Sequence, residues 1–230
     1  MTKVACLAFG LCAWAGFAAA QEGSPWEVSA GYQYTRVDLA GLQTQANLFT
    51  NSNGLPNVNV GNHVNTNGFN IGIQENLNSW FSGIFTLSGS YPTLALDVTP
   101  QLKTLGFLPP DWTAKYVAKA SGQLYTFMFG PQFTLRRSAF VQPFVRPLVG
   151  GAYATATINA SVNGTNLAAT DLTPSEGGFA LGGGAGFDSR VSSHVYLRTA
   201  VDYVKTTLFN ATENNLMFSL GIAYRVDSHQ

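Results

Sequence analysis

The feature that most constrains this chain is an alternation of apolar and polar residues in segments of about ten residues. In the first segment, Trp26, Val28 and Tyr32 fall on one face, while Glu27 and Gln33 fall on the other. A period of two is that of a β-strand with one apolar face. Similar segments lie near residues 26–36, 68–76, 81–91, 125–133, 141–153, 179–188, 195–203 and 216–226.

Composition indicates what the apolar faces contact. Only 10% of the residues are charged, whereas a soluble domain has about 25%. After residue 20 there is no apolar run long enough for a membrane-spanning helix, which excludes a helical membrane protein. The remaining membrane class is the closed barrel, because closure pairs every backbone group. We therefore predict an all-β, transmembrane antiparallel β-barrel.

The connections predict the topology of this barrel. Short turns are expected near residues 77–78, 136–138 and 191–193, and long connections over 38–66, 92–121 and 155–177, with a shorter one near 206–214. Outer-membrane barrels alternate short periplasmic turns with long extracellular loops. The pattern predicts eight strands in an up-and-down meander, with the long connections outside the cell.

The N-terminus has the pattern of a secretory signal peptide. Lys3 precedes an apolar stretch that ends in small residues at 18–20, after which polarity returns. We expect residues 1–20 to be the signal peptide and residues 21–230 to be the outer-membrane β-barrel domain. Both cysteines, Cys6 and Cys12, lie in the first segment, so we expect the mature chain to have no disulfide or thiolate site.

Aromatic residues concentrate at the two ends of the predicted strands. This is the placement of the aromatic girdles at the two membrane–water interfaces. One predicted girdle contains Tyr34, Phe69, Tyr91, Tyr125, Tyr153, Phe179, Tyr203 and Phe218, and the other contains Trp26, Phe81, Phe133, Phe187 and Tyr224.

Several segments resemble a known family, the small outer-membrane β-barrel superfamily that includes the OmpA transmembrane domain and OmpX-like proteins. The glycine-rich run at 182–188, followed by 196–198 and 201–203, is similar to the sixth and seventh strands of that family. Residues 129–131 and 143–145 are similar to its fourth and fifth strands. The resemblance implies an integral protein of the Gram-negative outer membrane, inserted by the barrel assembly machinery with the help of periplasmic chaperones.

The charged residues on the polar faces are the candidate site. Three acids and three arginines are expected to face the lumen and to form ion pairs: Glu27, Asp188 and Asp202 with Arg146, Arg198 and Arg225. The interior of an eight-stranded barrel is only just wide enough for side chains. A structural ion-pair network that fills the lumen is therefore favoured, and a polar gate or narrow ion path is the alternative.

The remaining residues favour a protein without catalysis. His63, His194 and His229 are the only histidines, they are not at metal-ligand spacing, and no nucleophile pattern accompanies them. We expect no catalytic residue, no metal site and no cofactor, and the zero net charge predicts no nucleic-acid partner.

These observations predict a non-enzymatic, porin-like cell-surface protein with a structural or surface-interaction role and a polar lumen filled by side chains. The alternative function is a narrow porin or an OmpW-like conduit for small or hydrophobic molecules. Its support is the apolar connection 92–121, which includes Leu102, Phe107 and Trp112. Expected partners are outer-membrane lipids, lipopolysaccharide and an extracellular ligand of unknown identity.

Overall fold

A computed structural model describes residues 26–52, 59–138, 140–163, 165–166 and 175–226. The expected signal peptide lies outside the described residues. The strands are β1 (Trp26–Asp38), β2 (His63–Asn76), β3 (Phe81–Ser90), β4 (Thr93–Asp97), β5 (Tyr116–Thr134), β6 (Val141–Val162), β7 (Thr165–Asn166), β8 (Ser175–Arg190), β9 (Val195–Leu208) and β10 (Ala211–Val226). Two helices, α1 (Ala40–Ser52) and α2 (Thr99–Thr104), lie in the connections after β1 and β4.

Eight of these strands form one closed antiparallel barrel. Each pairs with its neighbours along the chain, in the order β1, β2, β3, β5, β6, β8, β9 and β10. The first and last strands then pair with each other, from Trp26 opposite Val226 to Arg36 opposite Leu216. The prediction of an eight-stranded up-and-down meander is confirmed. Closure leaves no free edge along the shared height of the strands.

The strands extend beyond the predicted segments at one end of the barrel. We call this end, which carries the connections after β1, β3, β6 and β9, the loop end, and the opposite end the turn end. At the loop end β5 begins at Tyr116 and β6 continues to Val162, both inside connections that the sequence predicted to be long. The two short strands β4 and β7 pair with β5 and β6 respectively in the same region.

The predicted connection near 206–214 is wrong. Strands β9 and β10 remain paired up to Leu208 opposite Ala211, so only two residues form the turn. These residues, Phe209 and Asn210, have φ angles of 52° and 58°. Positive φ at both central positions is characteristic of the tight hairpin turn whose twist matches that of the flanking strands. Asparagine adopts positive φ more readily than most residues, whereas phenylalanine does so rarely. The sequence Phe209-Asn210 therefore did not predict a two-residue turn.

Alternation places two kinds of residue on the two sides of the wall. Aromatic and aliphatic side chains that point outward are exposed in the isolated chain, including Tyr34, Tyr203 and Phe218 towards the loop end and Trp26, Phe187 and Tyr224 towards the turn end. The inward side chains are almost all buried. The part of the wall between the two aromatic rows is the membrane-spanning part of the barrel. Within the described residues, no helix is both long and apolar enough to cross a membrane.

Candidate functional site

The six residues predicted for the lumen lie on inward faces of five strands. Five of them are at most 5% exposed, and the side chain of Arg225 is 17% exposed. We call this set, Glu27, Arg146, Asp188, Arg198, Asp202 and Arg225, the charged cluster. Alternation places these side chains inside; Arg146, for example, shares the phase of the buried Phe144 and Leu148.

Arg198 on β9 is the centre of the charged cluster. Its guanidinium donates two hydrogen bonds to Asp188 on β8, with Nε–Oδ1 and Nη2–Oδ2 distances of 2.7 Å. The same Nη2 atom donates to Glu27 on β1, and weaker contacts reach Ser29 and Gln74 at 3.5 and 3.4 Å. One buried cation therefore joins two carboxylates from opposite sides of the lumen.

Arg225 supplies the second positive charge for Glu27. Its Nη2 donates to Glu27 Oε2 at 3.0 Å, and its Nη1 donates to the Tyr196 hydroxyl at 3.0 Å. The guanidinium carbon also lies 4.6 Å from the centroid of the Tyr196 ring, a cation–π distance. Glu27 thus bridges two arginines, and the group crosses the seam where β1 meets β10.

Arg146 and Asp202 form a separate pair nearer the loop end. Arg146 on β6 donates through Nε and Nη2 to the two oxygens of Asp202 on β9, at 2.9 and 2.6 Å. This two-point geometry is the strongest that an arginine and a carboxylate form. The partners of Arg198 are consequently Asp188 and Glu27, although Asp202 is nearer to it in sequence.

Phe144 separates the two arginines and was missed in the sequence. Its buried ring lies 5.5 Å from the guanidinium carbon of Arg146 and 5.2 Å from that of Arg198. The signal was available, because Phe144 precedes Arg146 by two residues and therefore shares its inward phase. An aromatic face between two cations attracts both and reduces their mutual repulsion.

Two glycines of β8 make room for this arrangement. A Cβ atom at Gly184 would lie 2.0 Å from Asp202 Oδ1 and 2.8 Å from the Val201 carbonyl oxygen, and one at Gly186 would lie 2.2 Å from the Thr199 carbonyl oxygen and 2.6 Å from Phe144 Cζ. The glycine-rich run of β8 therefore gives up lumen volume to the charged cluster. Any larger residue at Gly184 displaces a carboxylate that is buried against its partner.

The lumen is not polar throughout, contrary to the prediction. Apolar side chains fill much of its middle and its loop half, with exposures of 0–6%. The prediction was based on the charged positions: it placed Met128 on an inward face without weighing its apolar character, and it did not assign Leu148 to a face. We call this set the apolar cluster: Val37, Ile84, Leu124, Met128, Leu148, Ala152, Ala180, Val204, Leu208 and Met217.

The match to a family identifies this architecture. A family model described as the outer membrane protein beta-barrel domain matches residues 4–225. The chain belongs to this family. It is an integral protein of the bacterial outer membrane, as the closed barrel and its exposed apolar belt require.

Solved structures of other outer-membrane barrels share the fold. Ail of Yersinia pestis, solved in complex with the heparin analogue sucrose octasulfate, is 17% identical, with a TM-score of 0.52, and the match covers 89% of this chain and 99% of Ail. Neisserial surface protein A is 12% identical with a TM-score of 0.49, over 90% of this chain and all of that one. No protein of curated function matches the chain in sequence.

In this outer-membrane barrel, helix α1 lies against the loop end of the wall. Asp38, at the end of β1, accepts a hydrogen bond from the Ala40 backbone N–H at 3.0 Å and so caps the helix. Its second oxygen accepts one from the Asn214 backbone N–H at 2.9 Å. Gln45 Nε2 reaches the Phe209 carbonyl at 3.4 Å. The helix is therefore tied to the hairpin between β9 and β10.

Glu213 lies buried beneath the start of this helix, beyond the outer aromatic row. Its Oε2 accepts a hydrogen bond from the Thr206 hydroxyl at 3.3 Å, and the Gly41 backbone N–H also donates to the carboxylate. Burial raises the pKa of Glu213 to about 7, and the charges of Asp38 and Glu176 act in the same direction.

The histidines do not form a common site. His63 lies at the loop end beside Arg36, 3.2 Å from its Nη2, and His194 lies in a turn at the opposite end. His229 lies outside the described residues. Within the residues that the structure describes, no group of three or more His, Cys, Asp or Glu side chains could hold a metal ion.

Proposed function

We propose that the mature chain is a non-enzymatic surface protein of the outer membrane whose lumen is closed by its own side chains. The observation that supports this proposal is that buried side chains fill the lumen along its length, with charged residues towards the turn end and other residues beyond them. The charged cluster joins β1, β6, β8, β9 and β10 through buried ion pairs. The middle and the loop half then hold the apolar cluster together with buried, hydrogen-bonded polar side chains such as Gln33, Thr35 and Ser90.

The charged cluster serves as a structural plug in this proposal. An open ion path needs charges that water and ions reach, whereas Glu27, Asp188 and Arg198 are between 1% and 5% exposed and bound to each other. Buried charges are tolerated when they are paired and hydrogen-bonded. Apolar side chains above them add a second barrier, because ions do not enter apolar surroundings.

A swelling assay with proteoliposomes tests the closed lumen. Liposomes that contain the refolded protein are diluted into an isosmotic solution of a small neutral sugar, beside liposomes that contain a known general porin. We expect no swelling above that of protein-free liposomes. Swelling at a rate comparable to that of the porin contradicts the closed lumen and favours the narrow pore or OmpW-like conduit.

The proposal also assigns the loop end to the cell exterior and residues 1–20 to a removed signal peptide. The support is the contrast between the ends, since long connections with α1, α2, β4 and β7 occupy only one of them. The barrel assembly machinery and periplasmic chaperones are the proposed partners during insertion. Lipopolysaccharide and an extracellular ligand are the proposed partners of the loop end.

Cysteine labelling of whole cells tests this orientation. Asn163 at the loop end and Ser192 at the turn end are both exposed, and the proposed mature chain has no cysteine of its own. We expect a membrane-impermeant maleimide to label a cysteine at Asn163 in intact cells, and one at Ser192 only after lysis. Labelling of Ser192 alone in intact cells would reverse the orientation.

A further inference from the structure

An apolar groove opens on the outer surface of the barrel at the turn end. It is a shallow, open depression with a volume of about 360 Å³. Trp80, in the turn between β2 and β3, forms one side and stacks on Phe133 of β5, with ring centroids 5.9 Å apart and planes at 15°. The lining residues are Trp80, Phe133, Thr134, Leu135, Pro143, Phe144 and Val145.

The groove lies at the turn-end side of an interruption in the pairing between β5 and β6. Pairing between β5 and β6 stops at Phe129 opposite Val149 and resumes at Phe133 opposite Val145. Pro131 and Pro147 lie in the interval, and neither has an N–H to donate. The compact ring of Pro143 then lies opposite Leu135, whose N–H donates to the Pro143 carbonyl at 2.8 Å. Pro143 is the proline that lines the groove, and its short ring beside the long side chains of Trp80 and Phe133 leaves a concave surface.

The position of the groove restricts what occupies it. Its surface residues include Trp80, Phe133 and Val145, which are 57%, 37% and 53% exposed on the side of the wall that faces lipid. These side chains lie at the level of the aromatic girdle, where lipid headgroups meet the first part of the acyl chains. A lipid acyl chain is the occupant that this surface requires.

An exposed arginine follows the groove in sequence. Arg137 lies two residues after Leu135 in the turn between β5 and β6 and is exposed. Its neighbour Arg136 is engaged with Asn76 and the Asn78 carbonyl, whereas the side chain of Arg137 has no hydrogen bond or ion pair within the described part of the chain. That turn, residues 135–140, contains no acidic residue.

We propose that this groove binds one anionic glycerophospholipid, with an acyl chain along the apolar lining and the phosphate on Arg137. Arginine is well suited to phosphate, because its planar guanidinium presents paired donors. The assignment of a phospholipid rests on the proposed orientation, in which the turn end lies in the periplasmic leaflet.

Trp80 provides a fluorescent probe within the groove itself. The other tryptophans outside the expected signal peptide are Trp26 and Trp112, so Trp26→Phe with Trp112→Phe leaves Trp80 alone. The variant is reconstituted in phosphatidylcholine bilayers that contain a minor fraction of lipid brominated on its acyl chains. Quenching by brominated phosphatidylglycerol is compared with quenching by brominated phosphatidylcholine. We expect about a threefold preference for phosphatidylglycerol, the size expected of one exposed ion pair.

Matched variants separate a site from general attraction. Arg137→Gln should abolish the preference, while Arg190→Gln, which removes an exposed arginine at the end of β8 that donates to the Ser192 carbonyl, should keep it. A barrel with Trp26 as its sole tryptophan, made by Trp80→Phe with Trp112→Phe, should show no preference. Val145→Phe places a larger side chain in the groove and should reduce quenching of Trp80 by both lipids. The folded state of each variant is checked by the difference in gel mobility between heated and unheated samples.

Equal quenching of Trp80 by the two lipids would overturn the proposal. An equal loss of preference in Arg137→Gln and Arg190→Gln would also overturn it, because it would indicate diffuse electrostatic attraction. Both lipids are present in both leaflets of these bilayers, so the result does not depend on orientation. Failure here would leave the closed lumen intact, since that is tested by permeation.

Discussion

The charged cluster and the apolar cluster fill the same lumen by opposite physical means. Arg198 donates two hydrogen bonds of 2.7 Å to Asp188 and forms a second ion pair with Glu27. Met128, 1% exposed, is held only by contact with other apolar side chains. A buried ion pair stabilises the fold only when its geometry is good, and removal of one partner leaves the other charge buried and unpaired. Truncation of an apolar side chain leaves no unpaired charge, and the loss of folding free energy increases with the volume of the cavity that remains.

This difference indicates separate contributions to the protein. The charged cluster fixes which strands face one another, because Arg146 can bind Asp202 in this way only when β6 and β9 keep their register. The apolar cluster depends on register only through which face of each strand its side chains occupy, and it needs no exact partner. In the proposed closed lumen the two clusters act together, and they should respond differently to mutation, salt and pH.

The largest effect is expected from Arg198→Ala. Glu27 would keep Arg225, but Asp188 would lose its cation in a buried site, so we expect the free energy of unfolding to fall by about 3–5 kcal/mol. Urea unfolding in detergent micelles measures it. Lys205→Ala, at an exposed outward position of the same strand, is the control and should change stability by less than about 0.5 kcal/mol.

A double variant shows whether the loss of stability in Arg198→Ala comes from the unpaired carboxylate of Asp188. Arg198→Ala combined with Asp188→Asn should be more stable than the sum of the single losses predicts. Strictly additive losses would show that the two side chains are not energetically coupled.

Met128→Ala probes the apolar cluster in the same assay. The cavity should lower the free energy of unfolding by about 2–5 kcal/mol, and the loss should not depend on salt. Met128→Leu, which nearly conserves volume, should cost less than about 1.5 kcal/mol. A loss as large in Met128→Leu as in Met128→Ala would mean that the cluster depends on shape more than on apolar volume.

The sequence predicted the barrel well because alternation repeats in every strand. It located the inward charges, since a charge such as Arg146 or Asp202 stands out against apolar neighbours of the opposite phase. It placed Met128 inward by alternation but did not locate Phe144, because an inward apolar residue looks in sequence like one that faces lipid. The distinction depends on phase relative to a charged neighbour, two residues away in the case of Phe144.

The loop end was the least predictable part of the chain. Helix α1 contains Gln43, Thr44, Gln45 and Asn47, and its position depends on Asp38 and Glu213, which come from distant parts of the chain. The exact partners of Arg198 were also beyond sequence, because three acids of the same phase were available. Strand register in three dimensions selects Asp188 and Glu27.

The charge of Glu213 should make the loop end sensitive to pH. Its pKa of about 7 in the folded state lies above its ordinary value of 4.5. The folded state therefore binds the proton more tightly, and stability is lost as pH rises from about 4.5 through 7, by up to about 3 kcal/mol. Urea unfolding at pH 5 and pH 8 should show this loss in the wild type and less of it in Glu213→Gln. Identical pH profiles for the two proteins would contradict this role.

Gly184→Ala tests the room that β8 leaves for the charged cluster. The added Cβ would lie 2.0 Å from Asp202 Oδ1 and must displace it, so we expect a loss of about 1–3 kcal/mol. Gly177→Ala on the same strand is the control, because its nearest atoms would be 3.9 Å away. Equal effects of the two substitutions would point to glycine flexibility in β8, with no particular need for space beside Asp202.

Single-channel recording in planar bilayers tests the closed lumen most directly. The wild type should give no stable conductance steps, because ion pairs and apolar side chains fill the path in succession. Arg198→Ala with Met128→Ala, which loosens both clusters, should give measurable steps if the double variant remains inserted. Large, steady open-pore conductance in the wild type would contradict the account.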